Sequence, residues 1–199
     1  PLSAILGFAQ LMDSGSPLPT PAQKRSIDQI LQAGWYLLEL INEILDLALI
    51  ESGKVSLSLE PVSLTEVMYE CKAMTKKKKK KRNISVTFPQ FETPYFVNAD
   101  RTRMKQVLIN LLSNAIKYNK TDGAVIVTYV VMTPERIRIC IEDTGKGLPP
   151  EKIAQLFQPF NRLGQESSTE EGTGIGLVTT KRLVELMGGE IGVKSTVEK

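Results

Sequence analysis

Arg101–Tyr118, RTRMKQVLINLLSNAIKY, is the stretch whose reading decides the fold. Met104, Val107, Leu108, Leu111, Leu112 and Ala115 recur at helical spacing and make one apolar face. Asn110, Asn114, Lys117 and Tyr118 fall at i, i+4, i+7 and i+8, a single polar stripe on the opposite side. Outward from this helix the period changes to two. ISVTF (84–88) and YFVNAD (95–100) precede it, and AVIVTYVVM (124–132) with RIRICIEDTG (136–145) follows, joined at TPE as a hairpin. VSLSLEPVSL (55–64) and EIGVKS (190–195) alternate like strands, and GIGLVTTKRLVELMG (174–188) is helical. SLTEVMYECKAM (63–74) reads as a helix with Ser63 at its cap and Glu66 in the capping-box position. Strands mixed with helices at these spacings predict an α+β sandwich, a mixed sheet layered with helices.

The first quarter of the chain has a different pattern. Leu2, Ile5, Leu6, Phe8, Ala9 and Met12 recur at helical spacing until SGSPLPTP (14–21), whose prolines forbid a continuing helix. From Ala22 to about Glu51 a heptad runs through Ile27, Leu31, Gly34, Leu38, Ile41, Leu45 and Ala48, and Ile30, Leu37 and Ile44 widen it. Two antiparallel helices cannot bury so broad a stripe between themselves. The pattern predicts a four-helix bundle completed by a second chain, the alternative being a hairpin packed on its own downstream domain. Gly53 is expected as the left-handed cap. The expected domains are a helical hairpin over 1–56 and an α/β sandwich over 57–199. The opening PLSAILGFAQLM begins in mid-pattern, which reads as a piece of a longer protein.

Composition narrows the function classes. Hydrophobic residues make up 42% and charged residues 24% of 199, a globular balance. The net charge of +3 comes from Lys76–Arg82, a basic run read as a solvated helical face, so no nucleic-acid partner is expected. Cys71 and Cys140 lack metal-ligand spacing and the chain has no histidine, which leaves no basis for a zinc or iron site. Glu39, Glu43 and Asp46 break the longest apolar stretches, so cytoplasmic chemistry is the expectation.

Three motifs carry the chemistry. Two asparagines one turn apart can hold hydrated Mg²⁺ beside phosphate, and Lys117 adds a point charge. Asp143 ends a strand at the tight turn DTGKG (143–147), where a carboxylate can accept from the exocyclic amine of adenine. Gly172-Thr173-Gly174-Ile175-Gly176 opens a helix with bare backbone suited to an anion. It is neither a Rossmann fingerprint nor a P-loop, lacking a preceding strand and a Gly-Lys-Ser/Thr. The segment from Pro150 to that loop reads as a mobile lid.

Taken together, NLLSNAIKY (110–118), DTGKGLPP (143–150), LFQPFNRL (156–163) and GTGIGL (172–177) resemble the N, G1, F and G2 boxes of bacterial sensor histidine kinases, within the gyrase, Hsp90 and MutL ATPase superfamily. The opening residues are similar to those that follow that family's phosphoacceptor histidine. The resemblance implies Asn114 as Mg²⁺ ligand, Asn110 orienting phosphate and catalytic water, and Lys117 and Tyr118 on phosphates and ribose. It implies Asp143 selecting adenine, Gly145, Gly147 and Leu148 shaping the base pocket, and Gly172, Thr173, Gly174, Ile175, Gly176 and Leu177 closing on the phosphates. Arg162, beside Phe160, is the candidate to neutralise the γ-phosphate; Phe157 and Phe160 anchor the lid. ATP and Mg²⁺ are the implied cofactors, and a homodimer and a response-regulator receiver domain the implied partners. The acceptor histidine would precede Pro1, so these 199 residues are expected to bind ATP without phosphorylating themselves on histidine. An ATP-hydrolysing clamp of the same superfamily is disfavoured because Asn110 stands where its catalytic glutamate would be; a non-catalytic dimeric docking module is the other alternative.

Overall fold

The computed structural model describes residues 1–80, 83–161 and 172–197, with backbone alone over 76–80. The chain divides into two compact units, Pro1–Ser52 and Gly53–Lys199.

The first unit is a helical hairpin, α1 (Leu2–Ser14) and α2 (Pro21–Glu51). Thr20 starts α2 through a reciprocal capping box: its side chain accepts from the Gln23 amide, and the Gln23 side chain accepts from the Thr20 amide. Pro21 at the first position suits the helix start, where its missing N–H costs nothing. Leu6, Ala9, Ile27 and Gly34 are buried. Gly34 lets the helices meet, since a Cβ there would stand 2.7 Å from Leu6 Cδ2. At ~1.5 Å per residue α1 covers less than half the length of α2, and Ile30, Leu37, Ile41, Ile44 and Leu45 remain exposed. Gly53, with φ +66°, ends the helix as its sequence position predicts.

The second unit holds two ladders and four helices among the described residues. β1 (Glu60–Ser63) pairs antiparallel with β3 (Phe96–Ala99). β2 (Ser85–Thr87), β4 (Ala124–Thr133) and β5 (Arg136–Asp143) form a mixed sheet in the order β2-β4-β5. β2 runs parallel to β4, and β5 antiparallel to it, with Val125 opposite Asp143 and an irregularity between Val131 and Thr133. The helices are α3 (Leu64–Lys80), α4 (Arg101–Lys117), α5 (Pro150–Ile153) and α6 (Gly176–Leu186). Asp100 caps α4, accepting from the Arg103 amide at 2.9 Å, and also accepts from the Ser58 amide. These hydrogen bonds, the Arg103 amide first, hold its carboxyl below the usual aspartate range.

α4 is the centre of the core. Met104, Leu108, Leu112, Ala115 and Ile116 pack with Val67, Met68 and Cys71 of α3 and with Val125 and Val127 of β4. Ile116 takes a core place that the periodicity assigned to Leu111, which is half-buried. The strand expected over 55–64 is confined to Glu60–Ser63, where it finds its ladder partner in β3. The strand expected at 190–195 does not form among the described residues. Alternation of Ile191 and Val193 specifies two faces, but a strand also needs a ladder. That segment is instead tied by side chains at both ends: Glu190 pairs with Arg136 at 3.2 Å, and Ser195 Oγ accepts from the Leu148 amide at 2.9 Å.

Candidate functional site

α4 carries the polar stripe of Asn110, Asn114 and Lys117, continued by Tyr118 at its C-cap. The Asn110 amide lies against α6: its Nδ2 donates to Thr180 Oγ1 at 2.7 Å, and a Cβ on Gly176 would stand 2.9 Å from its Oδ1. Farther along, Lys117 Nζ and the Tyr118 hydroxyl reach the glycine loop. A Cβ on Gly172 would meet them at 2.5 and 3.2 Å. Lys117 Nζ also sits 4.8 Å from the centroid of the Tyr118 ring, a cation–π placement. Ile175, the N-cap of α6, offers no side-chain cap, so the first amides of the helix have no capping partner among the described residues.

The DTGKG turn meets the same residue from the other side. Asp143 Oδ1 accepts from the Gly145 amide at 2.8 Å, and a Cβ on Gly145 would stand 2.9 Å from the Tyr118 carbonyl oxygen. Tyr118 therefore approaches the DTGKG turn with its carbonyl oxygen and the glycine loop with its hydroxyl. Buried Asn119 locks that junction: its Oδ1 accepts from Thr144 Oγ1 at 3.0 Å and its Nδ2 donates to the Ala124 carbonyl at 2.9 Å.

Asn110, Lys117, Tyr118, Asp143, Gly145, Gly172 and Gly176 are thus drawn together, while other residues named from the sequence have neighbours elsewhere. Gly174, with φ +73°, approaches the backbone of Phe160, and the Phe160 amide donates to its carbonyl at 3.1 Å. Gly147 approaches the backbone of Thr196, and Leu148 is held to Ser195. Ile175 is fully buried, its amide donating to Thr173 Oγ1 at 3.2 Å. Asn114 and Leu177 are half-buried on α4 and α6. Phe157 lies under Lys181, 5.3 Å from Nζ to ring centroid. Arg162 falls outside the described residues. Asn119, Thr144, Thr180 and Ser195 escaped sequence reasoning, because each acts through hydrogen bonds to other segments of the chain and leaves no periodic trace.

A concavity of about 370 Å³, lined by Thr65, Glu66, Tyr69, Glu70 and Arg101, lies apart from this cluster. Its charges neutralise one another: Arg101 pairs with Glu66 and Glu70, and Lys105 with Glu70 at 2.8 Å. Lys105 first, then Arg101, holds the Glu70 carboxyl below its ordinary range.

Comparison with known families finds the same two parts. Residues 99–199 match the histidine kinase-, DNA gyrase B- and HSP90-like ATPase family. The chain belongs to that family. Residues 1–53 match the phospho-acceptor domain of histidine kinases, so the whole is a sensor histidine kinase core. It is 39% identical over 202 residues to the circadian input-output histidine kinase CikA of Synechococcus elongatus, covering 99% of this chain and 26% of CikA. Its fold is similar to full-length ShkA solved in complex with AMPPNP, with TM-score 0.80 and 28% identity over 99% of this chain and 40% of ShkA. It is also similar to histidine kinase ThkA in complex with response regulator protein TrrA, with TM-score 0.65 and 30% identity over 95% of this chain and 52% of that one. The core spans between 10% and 38% of the length of the curated relatives it matches.

Proposed function

We propose that this kinase core binds Mg²⁺·ATP and directs its γ-phosphoryl group to a histidine outside these 199 residues, from which an aspartate of a response-regulator receiver domain takes it. Residues 1–56 form the dimerising hairpin and residues 57–199 the ATP-binding unit. The exposed stripe of α2 supports pairing of two copies into a four-helix bundle, and the printed complex of ThkA with TrrA supports a regulator partner. A cytoplasmic setting follows from the use of ATP; none of the described helices is long and apolar enough to cross a membrane.

The observation that carries the reading is the meeting of three motifs at Tyr118. The residues present fit a nucleoside triphosphate. Gly172 leaves open the space beside Lys117 Nζ and the Tyr118 hydroxyl, and the uncapped start of α6 offers amides to an anion. ATP would supply the transferable phosphoryl group, and the Asn114 side-chain carbonyl would hold a Mg²⁺ whose charge would offset the phosphate oxygens. Lys117 holds charge against the phosphates. Asn110 orients phosphate, and Gly172, Thr173, Gly174, Ile175, Gly176 and Leu177 enclose it. Asp143, with Oδ1 engaged by Gly145, offers its other oxygen to the adenine amine. Gly145, Gly147 and Leu148 shape the wall around the base. Such transfer is chiefly positioning and electrostatics.

Calorimetric titration of the 199-residue chain with ATP and GTP tests this. A guanine carbonyl facing Asp143 would set two acceptors together, at about 1–3 kcal/mol, so ATP binds about 5- to 150-fold tighter and Asp143→Asn weakens ATP by a similar factor. Equal affinity for the two nucleotides, or an unaffected Asp143→Asn variant, refutes the proposal.

A further inference from the structure

Two consecutive threonines on α6 are buried, Thr179 at 5% and Thr180 at 2% exposure, yet their hydroxyls differ. Thr179 Oγ1 has no hydrogen-bond partner among the described residues, so it behaves as a methyl-like filler. Thr180 Oγ1 accepts from Asn110 Nδ2 at 2.7 Å, joining α6 to the polar stripe of α4. One turn earlier on α6, Gly176 supplies the space for the same amide: a Cβ there would stand 2.9 Å from Asn110 Oδ1, 3.0 Å from Nδ2 and 3.3 Å from Cγ. Gly176 and Thr180 therefore form a slot that holds one planar group.

An asparagine side chain can rotate about its last bond, and a hydrogen bond to one end of the amide holds its plane in place. From this slot we infer that Thr180 is a positioning residue for phosphoryl transfer: its hydroxyl anchors the Asn110 amide to α6 and holds its plane in the slot beside Gly176. This inference rests on the proposed role of Asn110. The hydroxyl is what matters, because valine fills the same volume without accepting. Without it the amide loses its anchor on α6, and a part-buried donor is left without its partner. Because the bond runs between α4 and α6, it also keeps the glycine loop at the head of α6 in register with the stripe.

Thr180→Val, Thr180→Ser and Thr179→Val, made in the 199-residue chain, test the assignment by two readouts. The first is the ¹⁵N–¹H signal of the Asn110 side-chain amide in nucleotide-free protein, assigned by comparison with Asn110→Asp. Its two protons should have distinct, slowly exchanging resonances in the parent, Thr180→Ser and Thr179→Val, and a shifted, faster-exchanging pair in Thr180→Val. The second is affinity for Mg²⁺·AMPPNP. Thr180→Val should lose about tenfold, while Thr180→Ser and Thr179→Val stay within about twofold of the parent. An unmoved amide signal in Thr180→Val overturns the assignment, as do serine binding as weakly as valine or both threonine-to-valine changes weakening binding alike. A parent that binds no nucleotide overturns the function itself, and the amide signal then tells that failure from failure of the slot.

Discussion

Alanine at Gly147 should unfold the catalytic unit far more readily than alanine at Gly188, although the two glycines have nearly the same backbone. Their φ angles are +72° and +77°, a region that costs an L-residue about 1–2 kcal/mol. Loss of glycine's freedom in the unfolded chain returns about 0.4–1 kcal/mol in both cases. Gly188→Ala has nothing within 4 Å of the new Cβ, so the balance, about 1 kcal/mol, is its whole cost. At Gly147 the Cβ would stand 2.0 Å from the Thr196 carbonyl oxygen and 2.7 Å from its carbon. Both are backbone atoms that no rotamer change can move, so the segment from Ser195 to Val197 must retreat. That breaks the bond from the Leu148 amide to Ser195 Oγ, about 1 kcal/mol, and opens the packing around it, which brings the total to about 3 kcal/mol. With a urea slope of about 2 kcal/mol/M the midpoint falls by about 1.5 M for Gly147→Ala and about 0.5 M for Gly188→Ala. Near-UV circular dichroism reads the transition, since Tyr95 and Tyr129 form a ring cluster with Phe91 in this unit. Equal midpoints for the two variants would refute the reasoning, because only the Thr196 contact distinguishes them.

Acid should weaken the unit before any change at neutral pH. Asp100 and Glu70 both have folded-state carboxyls below their ordinary range, so their contribution is complete above the unfolded value, about 4, and is lost as pH falls through the lower folded values. Urea midpoints should be flat from pH 7 to about 5 and decline below about 4; a midpoint that rises on acidification contradicts this. Burial pushes the Cys71 thiol up to about 11, so it is protonated and shielded at neutral pH. A thiol-labelling titration in native buffer should leave Cys71 unmodified and label it on unfolding, and rapid labelling of the native chain would show that the core around α3 is wrong.

The parts of this molecule that repeat were legible in its sequence, and the parts that depend on one distant partner were not. The face of α4 and the Ser63 cap of α3, whose hydroxyl accepts from the Glu66 amide at 3.4 Å, are written in neighbouring residues, as is the left-handed turn at Gly53. The order of the polar motifs pointed to the candidate site because each type of group suits one part of a nucleotide. The slot made by Gly176 and Thr180 joins residues 70 positions apart, and the Asn119–Thr144 bond joins residues 25 apart. Nothing local marks either one. The strand expected at 190–195 and not formed has the same origin: alternation announces a strand's faces but not its ladder partner.

Tyr118 gives the catalytic unit a common datum. Its position is fixed by the end of α4 and by Asn119 behind it, and both the turn at Gly145 and the loop at Gly172 are gauged from it. A deletion or insertion between Lys117 and Asn119 would therefore displace both corners at once.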